Sequence, residues 1–274
     1  MNEESREAIY QHAKKWILEA GEIIRKKIND PLMVETKSNP KDLVTTIDRE
    51  TEYFLAKNIK STFKDHLLFS EEGYGEDLKS LDGVVWIVDP IDGTINFIQQ
   101  KRNFAISVGI FFNGIGEIGL VYDCMAGNLY TALKGSGAYK NGERLPDLGP
   151  NRKLEESIVD FNHYWLCEND VIDERVMQRL VEKIRAARSY GCAALELAYI
   201  SEGIVDGFLT MNLAPWDIAG GMIIANEVGA VTTNLDGNPV NMLINESTLT
   251  CHPAIQNEII NEYLIKGKKS QKFL

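Results

Sequence analysis

From the start of the chain, hydrophobic residues recur at helical spacing: Ile9, Ala13, Trp16, Ile17, Ala20, Ile23, Ile24 and Ile28 are separated by Lys, Arg and Glu over residues 4–30. That stripe predicts a long amphipathic helix, stopped by Asn29-Asp30-Pro31. Residues 31–43 are polar and broken by Ser38-Asn39-Pro40, which predicts a loop or short hairpin able to move. A second helical pattern over 44–63 lines up Ile47, Phe54, Leu55, Ile59 and Phe63. The period then changes. Leu67–Ser70 reads as a short strand before the acidic turn Glu71-Glu72-Gly73, and the β-branched run Val84–Asp89 reads as a buried strand. Residues 104–112 and 115–123 read as strands joined by the hairpin signal Asn113-Gly114, and 128–133 and 136–140 continue the meander to Asn141-Gly142.

Residues 145–153 (Leu-Pro-Asp-Leu-Gly-Pro-Asn-Arg-Lys) mark a candidate boundary. Beyond it the pattern alternates: a strand near 156–161, helices at 173–186 and 192–203, a strand at 206–211, a helix at 217–228 and a strand at 230–234. The expected division is an N-terminal α+β subdomain over 1–148 and a C-terminal α/β subdomain over 149–274.

A chain of 274 residues, 44% apolar, can bury a sizeable core and excludes wholesale disorder. Its 29 basic and 40 acidic residues leave a net charge of −11, which disfavours nucleic acid and anionic lipid as partners. Divalent cations in an acidic cleft would still allow phosphate binding. Cys124, Cys167, Cys192 and Cys251 are widely scattered, with neither zinc-site nor disulfide-framework spacing. The N-terminal residues lack the apolar stretch of a secretory signal, and Ala105–Phe112 is too short to span a bilayer. The expectation is a cytoplasmic protein with no membrane partner.

The chemistry concentrates in Val84-Val85-Trp86-Ile87-Val88-Asp89-Pro90-Ile91-Asp92-Gly93-Thr94, followed by a helix opening near Asn96. Two carboxylates at a strand end, facing free N–H groups at a helix start, suit hard cations and a phosphate together. A plain strand–turn–helix corner fits the same residues, since Asp-Pro and Asp-Gly are ordinary turn dipeptides. Other acidic positions have equally bland readings when taken singly. Asp217, in Pro215-Trp216-Asp217-Ile218-Ala219-Gly220, suits a helix N-cap; Glu71 and Glu72 suit a solvated loop; Asp48 suits a helix surface. Gly135-x-Gly137 lacks the third glycine and the strand-then-helix flanks of a nucleotide loop.

Together, Glu71-Glu72, Asp89-Pro90-Ile91-Asp92-Gly93-Thr94 and Pro215-Trp216-Asp217-Ile218-Ala219-Gly220 resemble the inositol monophosphatase family, within the magnesium-dependent, lithium-sensitive sugar phosphatases. The likeness runs from about Lys37 to Gly237, in family order. It implies a layered α-β-α-β-α fold and a Mg²⁺-dependent phosphomonoesterase, an inositol-1-monophosphatase of relaxed specificity acting on a small phosphorylated polyol or sugar, with two or three Mg²⁺ per site and a homodimeric assembly. It further implies that Glu71, Asp89 and the Ile91 carbonyl hold a first Mg²⁺, and Asp89, Asp92 and Asp217 a second. Thr94 and Asp48 match the pair that orients and deprotonates the attacking water, while Gly93 and Thr94 offer N–H groups to phosphate. Asp92, Asp217, Ala193 and Thr210 fall at substrate contacts, Glu72 supports its neighbour, and Lys37 matches a loop lysine near the site. The departure is Thr210: inositol phosphatases carry Glu seven residues before the Trp-Asp aspartate, and a hydroxyl cannot bridge two ring hydroxyls as a carboxylate does. That admits fructose 1,6-bisphosphate or the 2′-phosphate of NADP(H) as alternative substrates. A non-catalytic phosphate-ligand binder on the same fold is the reading from another class; it would be expected to lose Thr94, Asp48 or a metal carboxylate, and this chain keeps them.

Overall fold

Helix α1 (Glu3–Lys27) buries Ile9, Ala13, Trp16, Ile17, Ala20 and Ile24 along one face, as the stripe predicts. The computed structural model describes residues 1–31, 33–36 and 43–269; most of the loop expected at 31–43, Lys37 included, lies outside them. Strands β1 (Val34–Thr36) and β2 (Leu43–Thr45) pair antiparallel, and β2 runs directly into α2 (Thr46–Thr62), which begins two residues later than the pattern suggests.

A seven-stranded sheet follows, in spatial order β3 (Leu67–Ser70), β4 (Val84–Asp92), β5 (Ala105–Phe112), β6 (Ile115–Asp123), β7 (Asn128–Leu133), β8 (Ala138–Lys140) and β9 (Glu143–Arg144). Helix α3 (Thr94–Gln100) lies between β4 and β5. The Asn113-Gly114 hairpin forms as expected, and Asn141-Gly142, where the meander was expected to end, makes a further one between β8 and β9; both pairs have positive φ at both positions, which matches the strand twist. The Gly135 and Gly137 N–H groups donate to the Glu227 carboxylate at 2.7 and 2.8 Å.

A second, five-stranded sheet has the order β11-β10-β12-β14-β13, built from β10 (Ile158–Phe161), β11 (Ala186–Arg188), β12 (Gly207–Leu213), β13 (Val231–Thr233) and β14 (Glu246–Cys251). Its helices are α4 (Glu174–Lys183), α5 (Ala193–Ser201), α6 (Pro215–Glu227) and α7 (Pro253–Glu258). β11, β14 and α7 go beyond the expected pattern. The helix expected over 173–186 ends at Lys183, because Ala186–Arg188 is drawn into an edge strand parallel to β10; sheet pairing there overrides local helix preference.

The layers stack as α1/α2, seven-stranded sheet, α5/α6, five-stranded sheet, α4/α7, the α-β-α-β-α order. One core joins α1 and α2 to the first sheet (Trp16, Leu55, Trp86, Ile106), a second joins that sheet to α5 and α6 (Val85, Val121, Leu197, Ile223), and a third lies under α4 and α7 (Leu180, Leu209, Leu249, Ile255). The middle layer sits unusually close to the first sheet. A Cβ on Gly109 of β5 would meet Ala219 Cβ at 2.6 Å, and one on Gly220 of α6 would meet the Leu120 carbonyl at 2.6 Å. The small residues after Trp216-Asp217 therefore let α6 bed against the sheet, which carries Asp217 to the end of β4. No helix among the described residues is long and apolar enough to cross a membrane.

Candidate active site

β4 does not end in a turn at Asp89, as the sequence suggests, but continues to Asp92 through a bulge. Asp89 opposes Ser107 and Asp92 opposes Ala105, so three steps on β4 match two on β5. In a regular strand, side chains three residues apart point to opposite faces; the extra residue restores both aspartates to one side. Pro90 lacks an N–H and suits the bulge.

Asp89, Asp92 and Asp217 each offer an oxygen within 4.8 Å of the others. Each carboxylate has one oxygen held by a backbone N–H. Asp89 Oδ1 accepts from Ile91 at 2.9 Å, Asp92 Oδ2 from Ala194 at 2.6 Å, and Asp217 Oδ2 from Ala214 at 3.0 Å. Asp217 is thus the third residue of α6 reaching back to the residue before it, rather than the N-cap its position also suggested. Asp48 is built the same way, the third residue of α2, with Oδ2 accepting the Thr45 N–H at 3.0 Å and also the Thr45 hydroxyl. In every case the pinned oxygen fixes the rotamer, and the other is aimed by it.

Electrostatics match that geometry. Burial pushes Asp89 well above the carboxylate range, with the charges of Glu71, Asp92 and Asp217 adding to it. Burial raises Asp92 to about 7, eased by the Ala194 N–H and the Cys192 thiol. Asp217, although part of its surface is open, is also held high, by desolvation first and then by Asp92 and Glu71. Asp48 rises to about 6 through burial. Carboxylates packed this closely coexist as anions when a cation lies among them. The donor set is all oxygen, as Mg²⁺ requires, and offers no imidazole for zinc.

Thr94 Oγ1 lies 3.2 Å from the Ile91 carbonyl and 3.5 Å from Asp48 Oδ1. Its single hydroxyl proton serves one of these at a time, so it stands between the Asp48 carboxylate and the aspartate cluster. Gly93 precedes α3 with φ +87°, and a Cβ there would meet Cys192 Cβ and the Gly191 carbonyl at 3.1 Å. The N–H groups of Thr94, Ile95 and Asn96 fall in the first turn of α3, where no helical carbonyl precedes them.

Glu71 and Glu72 follow β3, and Glu71's charge reaches Asp48, Asp89, Asp92 and Asp217. Ala193 opens α5 beside the Asp92 contact. Thr210 is buried on β12, with its hydroxyl 3.5 Å from the Asn212 carbonyl. Sequence reasoning missed the residues that hold these groups in place. Asn96 Nδ2 donates to the Asn103, Tyr190 and Gly191 carbonyls, and Glu196 Oε1 accepts the Tyr190 and Gly191 N–H groups at 2.9 and 2.7 Å. The Thr45-x-x-Asp48 spacing was readable as a helix-start pattern; the Asn96 and Glu196 contacts span distances no local pattern encodes.

The model of the inositol monophosphatase family matches residues 5–268. The chain belongs to that family. It is 51% identical over 252 residues to the inositol-1-monophosphatase of Bacillus subtilis (strain 168), covering 92% of this chain and 95% of the relative. Among solved structures, inositol monophosphate-bound SaIMPase-II superposes with a TM-score of 0.85 at 37% identity, covering 94% of each chain. An IMPase/NADP phosphatase complexed with Mg²⁺ and phosphate superposes with a TM-score of 0.87 at 25% identity, covering 97% of this chain and all (100%) of that one.

Proposed function

We propose that the chain is a Mg²⁺-dependent phosphomonoesterase that hydrolyses inositol 1-phosphate and related small phosphorylated polyols and sugars. The observation that carries this reading is the convergence of Asp89, Asp92 and Asp217 beside the Asp48–Thr94 pair. Glu71, Asp89 and the Ile91 carbonyl would hold one Mg²⁺, and Asp89, Asp92 and Asp217 another, in a complement of two or three. Bound there, the cations supply Lewis-acid stabilisation of the phosphate and make a coordinated water easier to deprotonate.

The chain's own groups supply position and proton transfer. Thr94 Oγ1 accepts a proton from the attacking water and passes its own to Asp48 Oδ1, so the carboxylate gains one proton as the new P–O bond forms. Burial, which lifts Asp48 to about 6, suits it to that exchange near neutral pH. The ester P–O bond breaks opposite the attacking oxygen, and the leaving alkoxide takes its proton from solvent. Gly93 and Thr94 N–H groups orient the phosphate, and the Ala193 N–H and Thr210 hydroxyl meet the substrate's alcohol groups. The working unit in this reading is a cytoplasmic homodimer, each chain divided near residue 148 with Asp217 contributed by the second part.

Thr210 favours a second activity on the same site. A single hydroxyl there recognises ring hydroxyls less selectively than a carboxylate, so fructose 1,6-bisphosphate and the 2′-phosphate of NADP(H) join the substrate range. The test is phosphate release with Mg²⁺ or EDTA across inositol 1-phosphate, fructose 1,6-bisphosphate, NADP and glycerol 2-phosphate. Magnesium-dependent release is expected, with inositol 1-phosphate foremost; no release from any member overturns the reading.

A further inference from the structure

Helix α2 carries a second buried acid one turn beyond Asp48. Glu52 is 0% exposed and lies on the same face as Asp48, four residues on. Its two oxygens take three hydrogen bonds from one short segment. Oε1 accepts from the Ser70 hydroxyl at 2.7 Å and the Tyr74 N–H at 2.9 Å, and Oε2 accepts from the Glu72 N–H at 2.6 Å. Glu71 is therefore bracketed: the residue before it and the residue after it are tied to the same carboxylate.

We propose that Glu52 is a positioning residue for Mg²⁺ binding, holding the turn at 70–74 so that Glu71 faces the aspartate cluster. Resting on the phosphatase reading above, this gives the α2 helix a double task. Asp48 serves the water side through Thr94 and Glu52 sets the Glu71 side, so one rigid helix fixes the two relative to each other. A charged acceptor suits the task better than a neutral one. Hydrogen bonds to an ionised group are shorter and stronger, and two oxygens receive three donors, the Ser70 hydroxyl among them in a buried contact. Lys60 Nζ, also on α2, donates to the Tyr74 carbonyl at 2.9 Å at the far end of the segment, whereas Glu52 holds the N–H and hydroxyl groups on either side of Glu71.

The experiment compares wild type, Glu52→Ala, Glu52→Gln, Glu71→Gln and the Glu52→Ala/Glu71→Gln double variant. Two quantities are read: the Mg²⁺ concentration giving half-maximal phosphate release, and that giving half of the Mg²⁺-induced rise in melting temperature. Glu52→Ala is expected to raise both about 10- to 100-fold, with kcat at saturating Mg²⁺ changed less than about threefold. Glu52→Gln falls between, because the amide keeps one acceptor and turns its other arm into a donor facing a donor. In the Glu71→Gln background Glu52→Ala adds no further shift in the melting series, since Glu52 acts through Glu71. An unchanged Mg²⁺ requirement in folded Glu52→Ala, a loss of kcat alone, or full additivity with Glu71→Gln overturns the proposal. If Glu52→Ala does not fold, Glu52→Gln decides by the same criterion. A wild type without phosphatase activity sinks the functional reading instead, and the melting series still tests Glu52 with Mg²⁺ alone.

Discussion

The Asp92 carboxylate, at the bulged end of β4, accepts the backbone N–H of Ala194, in the first turn of α5, at 2.6 Å and 102 positions along the chain. The cluster is therefore assembled across the interface between the first sheet and the middle helices. Asp217 arrives by the same route, on a helix bedded against β5 and β6. Whatever neutralises the cluster also ties those layers together.

It follows that Mg²⁺ raises the melting temperature and that Asp89→Asn separates repulsion from binding. Asp89 faces the charges of Glu71, Asp92 and Asp217. Asn spares the metal-free protein both that repulsion and the cost of taking up a proton at Asp89, so the variant melts higher than wild type in EDTA. With Mg²⁺ the order reverses, because the variant lacks a shared ligand. Its kcat falls on the order of 10³-fold, the equivalent of several kcal/mol of lost charge stabilisation. Calorimetry with and without Mg²⁺ checks the crossing; parallel melting shifts in both conditions would contradict it.

Gly93→Ala is expected to abolish activity through backbone strain and crowding. The position has φ +87°, and a methyl would sit 3.1 Å from Cys192 Cβ and the Gly191 carbonyl. A non-glycine residue in this region costs about 1–3 kcal/mol. Both neighbours belong to the segment from which the Cys192 thiol and the Ala194 N–H reach Asp92, so the same methyl displaces the aspartate cluster as well as the turn that starts α3. Chemical denaturation should show the loss of stability, and phosphate release should drop at least tenfold beyond it. Activity within twofold of wild type would show that the turn has room.

How much of this was legible before the fold was known depended on the range of each contact. The α1 stripe, the Asn113-Gly114 hairpin and the Trp16-to-Ile24 core face are local patterns, and they appear where the sequence put them. The clustered carboxylates Asp89, Asp92 and Asp217 stood out as motif positions, but their shared face did not. Asp89 and Asp92 meet because of a bulge that looked like a turn, since Pro90 and Gly93 suit either. Glu196 and Asn96 were invisible for another reason: a buried glutamate and an asparagine carry no periodic signal, and their partners at Tyr190 and Gly191 are set by the packing of α5. β11 was hidden by its own composition, Ala-Ala-Arg, which pairs with β10 at the expense of a longer α4.

Restoring a carboxylate at residue 210 should narrow specificity. Thr210 lies on β12 opposite Thr248, whose buried hydroxyl has no hydrogen-bond partner among the described residues. A glutamate there gains that donor and presents two acceptors where the threonine presents one hydroxyl. Thr210→Glu is expected to raise the ratio of kcat/KM for inositol 1-phosphate over NADP about tenfold, mainly through lost NADP turnover. A steady-state comparison of the two substrates measures it. An unchanged ratio would mean that residue 210 does not face the substrate.

Asp160 supplies a pH test outside the metal cluster. It is fully buried on β10 with neither oxygen hydrogen-bonded among the described residues, and Glu196, itself pushed high by burial and by Asp160, lies close by. Burial raises Asp160 to about 6, opposed first by the neighbouring Glu196 side chain and Tyr190 N–H and then by Arg188; in the unfolded chain the group returns to about 3.9. The folded state therefore holds the proton more tightly. The stability tied to that proton is fully present below the unfolded value and is lost as pH rises from about 4 through about 6, about 3 kcal/mol by pH 8. Asp160→Asn cannot ionise and avoids that loss. It should melt about 5 °C above wild type at pH 8, about half as far above it at pH 5, and close to wild type at about pH 3.5, the difference developing between about pH 4 and 6. Glu196 still titrates in the variant, so some pH dependence remains, and the comparison rests on the difference between the two proteins. A variant that melts lower at pH 8 would show instead that the Asp160 anion is favourably paired with Arg188.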